Sequence, residues 1–321
     1  MLSVAVICHY LPTYYNFICS AVPGKGGTMR HIIIIAIISL LPLFADEDFL
    51  KGVRAEDLML ERIETPAAED TVGISDWSKY FFNSQNEAIS FNGQLRAEVR
   101  TEGEFGDGIY VTDLRTKEVK YIDDRCEMPK WAPQGNLLAY LKQKKRVGEY
   151  YRGQQLYGGC ELWVYDFNED IKIKVTDNIA VEEFVWSKNG NILVFTYDSM
   201  GVKNETPLFL AAVDITSKKI TIIDRGSPYT DMAFTVSPDG RMVAYCKPLS
   251  WKLMSEWYVT NSEIFIANID GTGRTKITNT YAVEEMVKWC DDGKTLIVEQ
   301  VGQDPFNSAF PKYVKIVLKK K

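Results

Sequence analysis

Histidine is nearly absent from this chain, which has only His9 and His31 among its 321 residues. Both lie at the N-terminal end, so the sequence after His31 contains no imidazole. A Ser-His-Asp triad, a Cys-His nucleophile pair and a histidine-ligated metal all require one. If the N-terminal segment is removed, these three catalytic devices are excluded.

Other familiar sites are also missing. The six cysteines include no CxxC pair and no set with metal-ligand spacing, and no glycine-rich phosphate loop is present. The formal net charge of −6 argues against nucleic-acid binding by bulk positive charge. A content of 46% hydrophobic and 12% aromatic residues argues against disorder and predicts a globular protein of one large or two small domains.

Residues 29–45 have the pattern of a secretory signal peptide. Met29-Arg30-His31 is a short basic start, a 13-residue apolar run follows at 32–44, and Ala45 precedes an acidic stretch. The run is shorter than the roughly 20 residues that a membrane-spanning helix needs. We therefore expect a periplasmic or secreted protein. An uncleaved N-terminal anchor is the alternative, and it is the only membrane contact that the sequence suggests.

Residues 1–28 do not belong to that pattern. They end in Lys-Gly-Gly-Thr (25–28), which can be encoded by a bacterial ribosome-binding sequence directly before the codon of Met29. This predicts that Met29 is the true start and that residues 1–28 are upstream DNA read in frame. An unusually long signal region is the alternative.

Four cysteines remain after the signal: Cys126, Cys160, Cys246 and Cys290. An even number in an oxidising compartment permits two disulfides, with three possible pairings. The alternative is that they are small buried hydrophobic residues.

A turn motif that ends in glycine recurs along the chain. Its copies are Trp-Ala-Pro-Gln-Gly (131–135), Trp-Ser-Lys-Asn-Gly (186–190), Val-Ser-Pro-Asp-Gly (236–240), Trp-Cys-Asp-Asp-Gly (289–293) and the weaker Ser-Phe-Asn-Gly (90–93). An apolar alternation follows each glycine, and a second hairpin pattern completes each unit. The glycines are 42 to 55 residues apart. Four-stranded units at this period predict an all-β protein, a β-propeller with five recognisable repeats and five or six blades.

Residues 85–318 resemble the WD40-like repeats of TolB-like propellers, whose hallmark is similar to Trp-Ser-Pro-Asp-Gly followed by an apolar strand. The resemblance implies the fold more than the function, because such propellers include binding modules, peptidase gates and glycan-active enzymes. TolB itself has a substantial α/β domain before its propeller, whereas residues 46–84 are too few for one. This segment is expected to cap the propeller or to form part of a sixth blade, with a short helix at 55–63 and a strand near 80–82.

Acidic residues recur near the start of each expected innermost strand. Counting eight residues back from the turn glycines gives glutamates in three of five repeats, and further carboxylates are adjacent. The set consists of Glu127, Glu182, Glu183, Asp231, Glu284 and Glu285. These positions predict a carboxylate ring at the mouth of the central channel, which could hold a hard cation such as Ca²⁺ or attract a basic partner segment. The alternative is that strand ends near solvent are simply polar.

Aromatic residues occur in the expected connections between second and third strands. Tyr150 and Tyr151 fall in one connection, and Trp251 and Trp257 in another. Exposed aromatic side chains on loops favour an interface, unless they fold down onto the blades. The basic run at 142–146 suggests either an acidic partner or solvated charge. Asp-Gly-Thr-Gly (270–273) is interpreted as a hairpin turn and not as a calcium loop.

These features predict a non-enzymatic, exported propeller that binds a protein or a cell-envelope component through its loop-bearing face. The alternative is a glycan-active enzyme, because paired carboxylates can hydrolyse glycosides without histidine. Its candidate acid and base would be the channel-mouth residues Glu127, Glu182, Asp231 and Glu285.

Overall fold

The computed structural model describes residues 49–66, 87–101, 108–144, 150–151, 154–155, 159–198, 207–228, 232–253, 257–280, 282–301 and 312–321. Chain order begins with one 3-10 turn (Ala55–Asp57) and strand β1 (Leu58–Glu64). The strands form antiparallel groups of four, which we number as blades 1 to 5 along the chain. Blades 2 and 3 are joined by one backbone pair, Cys160 opposite Val181, into a sheet of eight strands. The predicted all-β propeller of four-stranded blades is confirmed, and the described residues supply five of them.

Blades 1 to 4 use their strands in chain order, from the innermost to the outermost. Blade 1 contains β2 (Glu87–Ile89), β3 (Leu95–Arg100), β4 (Gly108–Asp113) and β5 (Val119–Asp124). Blade 2 contains β6 (Cys126–Trp131), β7 (Leu137–Gln143), β10 (Cys160–Asp166) and β11 (Ile171–Lys174), with the small ribbon β8 (Tyr150–Tyr151) and β9 (Gln154–Gln155) inserted. Blade 3 contains β12 (Ala180–Trp186), β13 (Ile192–Asp198), β14 (Pro207–Asp214) and β15 (Ile220–Pro228).

The last two blades complete the series. Blade 4 contains β16 (Phe234–Val236), β17 (Met242–Leu253), β18 (Trp257–Asn268) and β19 (Thr275–Lys276). Blade 5 contains β20 (Val283–Trp289), β21 (Thr295–Val301) and β22 (Lys312–Lys320), and β1 is its fourth strand. The antiparallel pairing runs from Leu58 opposite Lys320 to Glu64 opposite Lys315. The N-terminal segment therefore completes the C-terminal blade.

The expected helix at residues 55–63 is wrong. Only Ala55–Asp57 is helical, as a single 3-10 turn, and Leu58 begins β1. The exposed edge of β22 offers unpaired backbone groups, and pairing with it outweighs a weak local preference for helix. The strand expected near residues 80–82 lies outside the described residues.

The recurring motif forms the turn between the first and second strands of each blade. At Ser237 the hydroxyl accepts a hydrogen bond from Met242 N at 3.0 Å and donates one to Asp239 Oδ1 at 2.6 Å. Gly240 closes the turn with a φ of 74°, a left-handed conformation that glycine adopts without strain. The motif thus satisfies the polar groups of the turn locally, which explains its recurrence.

Apolar side chains fill the spaces between successive blades. Along β13, for example, Val194 packs towards blade 4, whereas Leu193 and Phe195 pack towards blade 2. Four such clusters join blades 1 to 5 in succession. Within the described ranges no comparable cluster joins blade 5 to blade 1, and Ile89 of blade 1, at the position of the motif tryptophans, is 50% exposed.

The motif tryptophans also tie neighbouring innermost strands together. Trp131 Nε1 donates to the carbonyl oxygen of Ala88 at 3.1 Å, and Trp186 Nε1 donates to that of Lys130 at 2.9 Å. The equivalent Trp289 Nε1 is buried and has no hydrogen-bond partner in the described part of the chain.

We expect Trp186→Phe to lower the free energy of unfolding by about 1 kcal/mol more than Trp289→Phe. Both variants remove similar volume from a buried site, but only the first breaks a hydrogen bond between blades. Urea unfolding of the two variants and the wild type measures the difference. Equal losses would show that the bond from Trp186 contributes nothing to stability.

Candidate functional site

One end of the blades collects most of the predicted site residues. Antiparallel pairing places the start of each innermost strand beside the end of the second strand, as in Ala180 opposite Asp198 and Val283 opposite Val301. The connections between second and third strands leave the blades at the same end. We call this end the mouth face.

Five of the six predicted carboxylates lie on the mouth-face part of an innermost strand. Glu127 is in β6, and the other four form the adjacent pairs Glu182–Glu183 in β12 and Glu284–Glu285 in β20. Asp231 lies outside the described residues. Counting back from the turn glycine thus places these residues at one end of the blades, but their side chains differ in environment.

The carboxylates of blades 2 and 3 are half-buried and have different neighbours. Glu127 Oε1 accepts a hydrogen bond from Cys160 Sγ at 3.1 Å. Glu183 lies near Lys130, whose ammonium group donates to the carbonyl oxygen of Phe184 at 2.7 Å. Burial lowers the pKa of Lys130, and the negative charge of Glu183 opposes that effect. Glu127 is therefore tied to another strand of its own blade, whereas Glu183 lies at the contact between blades 2 and 3.

The cation expected from the sequence would be bound by these carboxylates. In the described part of the chain, no group of three or more His, Cys, Asp or Glu side chains is arranged to hold a metal ion. Calcium binding therefore stays a prediction from the sequence.

Glu284 stands apart because its side chain is buried, at 2% exposure. Its carboxylate accepts hydrogen bonds from Thr278 Oγ1 at 2.9 Å, Thr280 Oγ1 at 3.1 Å and Gln300 Nε2 at 3.3 Å. Burial, and then the charge of Glu263, raise the pKa of Glu284 to about 7. A carboxyl of this kind is poorly placed to contact a substrate, although it is well placed to respond to pH.

Two further glutamates join this region that the sequence analysis did not select. Glu263, in β18, is 1% exposed and pairs with Lys276 at 3.4 Å. Glu299, in β21, is partly buried, and burial together with the charge of Glu285 raises its pKa. A repeat comparison could have suggested Glu263, since Glu161 precedes the same apolar run in blade 2.

The longest strands in the described part of the chain project from the mouth face. Phe234, the first residue of β16, pairs with Tyr245, but β17 continues to Leu253 and pairs there with β18. Both strands have 12 residues, whereas the second strands of blades 2, 3 and 5 have seven. We call residues 247–253 and 257–261 the mouth hairpin.

The mouth hairpin carries exposed apolar side chains. Leu249 is 40% exposed and Trp251 is 38% exposed. Trp251 and Trp257 were expected on a loop, but the structure places them in β17 and β18, and the backbone of Trp257 pairs with Leu253. Strand pairing therefore holds this part of the connection in an extended form.

The other expected connections are only partly described. Tyr150 and Tyr151 form β8 and pair with Gln155 and Gln154. In the basic run at 142–146, Lys142 is not simply solvated, because it pairs with Asp123 and Asp124 at 2.5 and 3.1 Å between blades 1 and 2. Residues 145 and 146 lie outside the described residues. The Asp-Gly-Thr-Gly segment is a hairpin turn, as predicted, in which Asp270 Oδ1 accepts from Thr272 N at 3.0 Å.

Cys126 and Cys246 follow the second of the two interpretations, whereas Cys160 and Cys290 are half-buried. No disulfide joins any two of Cys126, Cys160, Cys246 and Cys290 in the structure. Cys126 and Cys246 are buried at 1% and 3% exposure, where they pack as small hydrophobic residues. Burial raises the pKa of both thiols, which disfavours the reactive thiolate.

Comparison with known proteins identifies the architecture. No family model matches the sequence, and no curated protein matches it either. The tricorn protease matches with a TM-score of 0.53 and 18% identity over 71% of this chain, which is 21% of that protease. The propeller domain of the Trilobed protease from Pyrococcus furiosus matches with a TM-score of 0.50 and 14% identity, over 73% of this chain and 70% of that one.

A putative TolB from Agrobacterium tumefaciens also matches, with a TM-score of 0.45 and 16% identity, over 74% of this chain and 76% of that one. At these identities the matches to the two proteases show the fold alone. The β-propeller implied by the TolB-like repeats is thereby confirmed as the architecture. In the described residues, no helix is long and apolar enough to cross a membrane.

Proposed function

We propose that this β-propeller is an exported, non-enzymatic binding module that holds a protein or a cell-envelope component on its mouth face. The observation that carries the proposal is the mouth hairpin, which extends beyond blade 4 and exposes Leu249 and Trp251. Large apolar side chains on a projecting element are favourable when a partner covers them, and tryptophan is a frequent anchor of protein interfaces.

Two features of the sequence support the proposal, one for export and one for a non-enzymatic role. The pattern of residues 29–45 is that of an export signal, and the lack of histidine after His31 removes the commonest general base. The buried position of Glu284 also favours binding over catalysis at that residue, because a substrate would have to open the interface between blades 4 and 5 to reach it.

The test uses the chain from Asp46 as bait in envelope extract from the source cells, with chemical cross-linking. We expect one stoichiometric partner, and we expect the double variant Leu249→Ser, Trp251→Ser to bind it at least tenfold more weakly, because the loss of an interface tryptophan commonly costs about 2 kcal/mol. The matched control is Ile220→Ser, Ile222→Ser, which changes two residues, 37% and 52% exposed, on the outer edge of blade 3.

The control variant should retain the partner. Equal binding by both double variants would place the binding surface elsewhere. Failure to capture any protein, together with hydrolysis of a glycan that is lost in Glu127→Gln or Glu285→Gln, would replace this proposal with the glycan-active alternative.

A further inference from the structure

Two buried carboxylates meet at a single threonine between blades 4 and 5. Glu263 comes from β18 and Glu284 from β20, at 1% and 2% exposure. Thr280 N donates to Glu263 Oε2 at 3.1 Å, and Thr280 Oγ1 donates to Glu284 Oε1 at 3.1 Å. Both charges therefore depend on one short segment that links the two blades.

The two carboxylates are compensated unequally. Glu263 has a cation, Lys276, at 3.4 Å. The donors to Glu284 are all neutral, being two threonine hydroxyls and the amide of Gln300. Within the described residues no lysine or arginine forms an ion pair with Glu284. A buried carboxylate with neutral donors alone is costly when ionised, whereas its protonated form is tolerated.

The other groups around Glu284 are mainly acidic or neutral. Glu263 faces it from β18, Glu285 adjoins it in β20, and Glu299 and Gln300 lie on β21. On β17, the pKa of Cys246 is raised by burial and then by the charges of Glu284, Glu285 and Glu299. Lys276 on β19 is the nearby cation, and it pairs with Glu263. Protonation of Glu284 removes a negative charge from this acidic group, which relieves the repulsion within it.

Glu284 is also part of the backbone contact between the blades. Ser262 Oγ accepts from Glu284 N at 2.5 Å and donates to Glu284 O at 2.7 Å, while Ser262 N donates to Ala282 O at 3.2 Å. Thr278 Oγ1 accepts from Ile264 N at 2.8 Å and donates to the Glu284 carboxylate. The charge of this carboxyl is thus coupled to the bonds that close the interface.

We propose that the contact between blades 4 and 5 is a proton-operated joint, which is closed when the Glu284 carboxyl is protonated and loosened when it is ionised. Gln300 can serve both states, because its amide offers either N–H donors to the carboxylate or an oxygen to the carboxyl proton. Ser262 adjoins the mouth hairpin at Asn261, so loosening of the joint reaches the surface proposed for binding.

The sign of the effect follows from the folded and unfolded states. The pKa of Glu284 is near its ordinary value of 4.5 in the unfolded chain and about 7 in the folded one. The folded state therefore holds the proton more tightly, and stability falls as pH rises between these two values. Above a pH of about 7 the stabilisation by the bound proton is lost, and below a pH of about 4.5 it is fully present.

Two measurements on the whole chain test the joint without any partner. Carbon-13 NMR of the glutamate carboxyl groups, assigned with Glu284→Gln, should show one group that titrates with a midpoint near pH 7. Native-state hydrogen exchange at pH 5 and pH 8.5, corrected for the intrinsic exchange rate, should show local opening at Ser262, Ile264 and position 284. We expect opening to increase of the order of a hundredfold at the higher pH.

Three variants identify the group responsible. Glu284→Gln imitates the protonated state, so opening should become independent of pH and stay low. Thr280→Val removes a donor to the ionised form and should move the midpoint to higher pH. Glu299→Gln is the control and should retain the pH dependence. A midpoint near 4.5 for Glu284, or a pH dependence that survives in Glu284→Gln, would overturn the joint and would leave the proposed binding role untouched.

Discussion

Replacement of Asp224 by asparagine is expected to lower the free energy of unfolding by about 3 kcal/mol, because it weakens three hydrogen bonds to a buried carboxylate, two of which come from cations. Asp224 is 2% exposed and lies between blades 3 and 4. It accepts from Tyr245 OH at 2.6 Å, Lys247 Nζ at 2.7 Å and Arg274 Nη1 at 2.8 Å. Asparagine retains the shape of the side chain but cannot balance these two cations.

Urea unfolding followed by tryptophan fluorescence measures this loss. Asp170→Asn is the matched control, because Asp170 also accepts from a lysine and a tyrosine but is 68% exposed. The loss of unfolding free energy in Asp170→Asn should be much smaller, since water screens an exposed pair. Similar losses in the two variants would show that burial adds nothing to the network around Asp224.

The same network has a defined dependence on pH. Burial alone would raise the pKa of Asp224, but hydrogen bonds from Lys247 and Tyr245 outweigh it and hold the pKa below its ordinary 3.8. Its contribution is therefore present above that ordinary value and is lost as pH falls through the lower folded value. The contribution of Glu284 to stability has the opposite dependence on pH and is largest in acid, because the folded state binds its proton more tightly. Together they predict maximal stability at mildly acidic pH.

The repeats made the blades predictable because the information is local. The turn residues, the glycine and the apolar alternation that follows it all lie within about a dozen residues, and each part satisfies its own hydrogen bonds. The equivalence of repeats extends further than the motif. Asp123 with Tyr140, Lys142 and Lys172 repeats the network of Asp224 with Tyr245, Lys247 and Arg274 at the first and third interfaces.

Features that depend on distant partners were not predictable in this way. Residues 55–63 have a pattern compatible with a helix, and only the free edge of β22, which lies at the far end of the chain, turns Leu58–Glu64 into a strand. Lys142 belongs to a basic run in the sequence, whereas its partner Asp123 lies on the preceding blade. In both cases the deciding group lies outside the local sequence pattern.

The candidate site shows the same division. Counting back from the turn glycine placed Glu182 and Glu285 on the mouth face, and both fall at register shifts of their strands. The count gave no information on burial, which separates Glu284 at 2% exposure from its exposed neighbour Glu285. The burial of Glu284 depends on Ser262, Thr278 and Gln300, which the fold brings together from two other strands and one loop.

The N-terminal segment is held against blades 4 and 5 by both apolar and polar contacts. Leu50, Val53, Ala55 and Leu58 join the apolar cluster between these blades. Ala55 N donates to Asn268 Oδ1 at 2.9 Å, and the amide of Lys321 donates to Asp57 O at 2.8 Å. The segment therefore links the beginning of the described chain to its last residue.

Leu58→Ala is expected to cost about 3 kcal/mol of unfolding free energy, since a leucine truncated in a well-packed core loses its transfer energy and leaves a cavity. Leu58 is fully buried, whereas the adjacent Met59 is 38% exposed. Met59→Ala is therefore the matched control, and its effect should be small. Thermal unfolding compares the two variants. If the two variants melt at the same temperature, β1 pairs with β22 without stabilising blade 5. If only Leu58→Ala melts lower, the stability of blade 5 depends on this N-terminal strand.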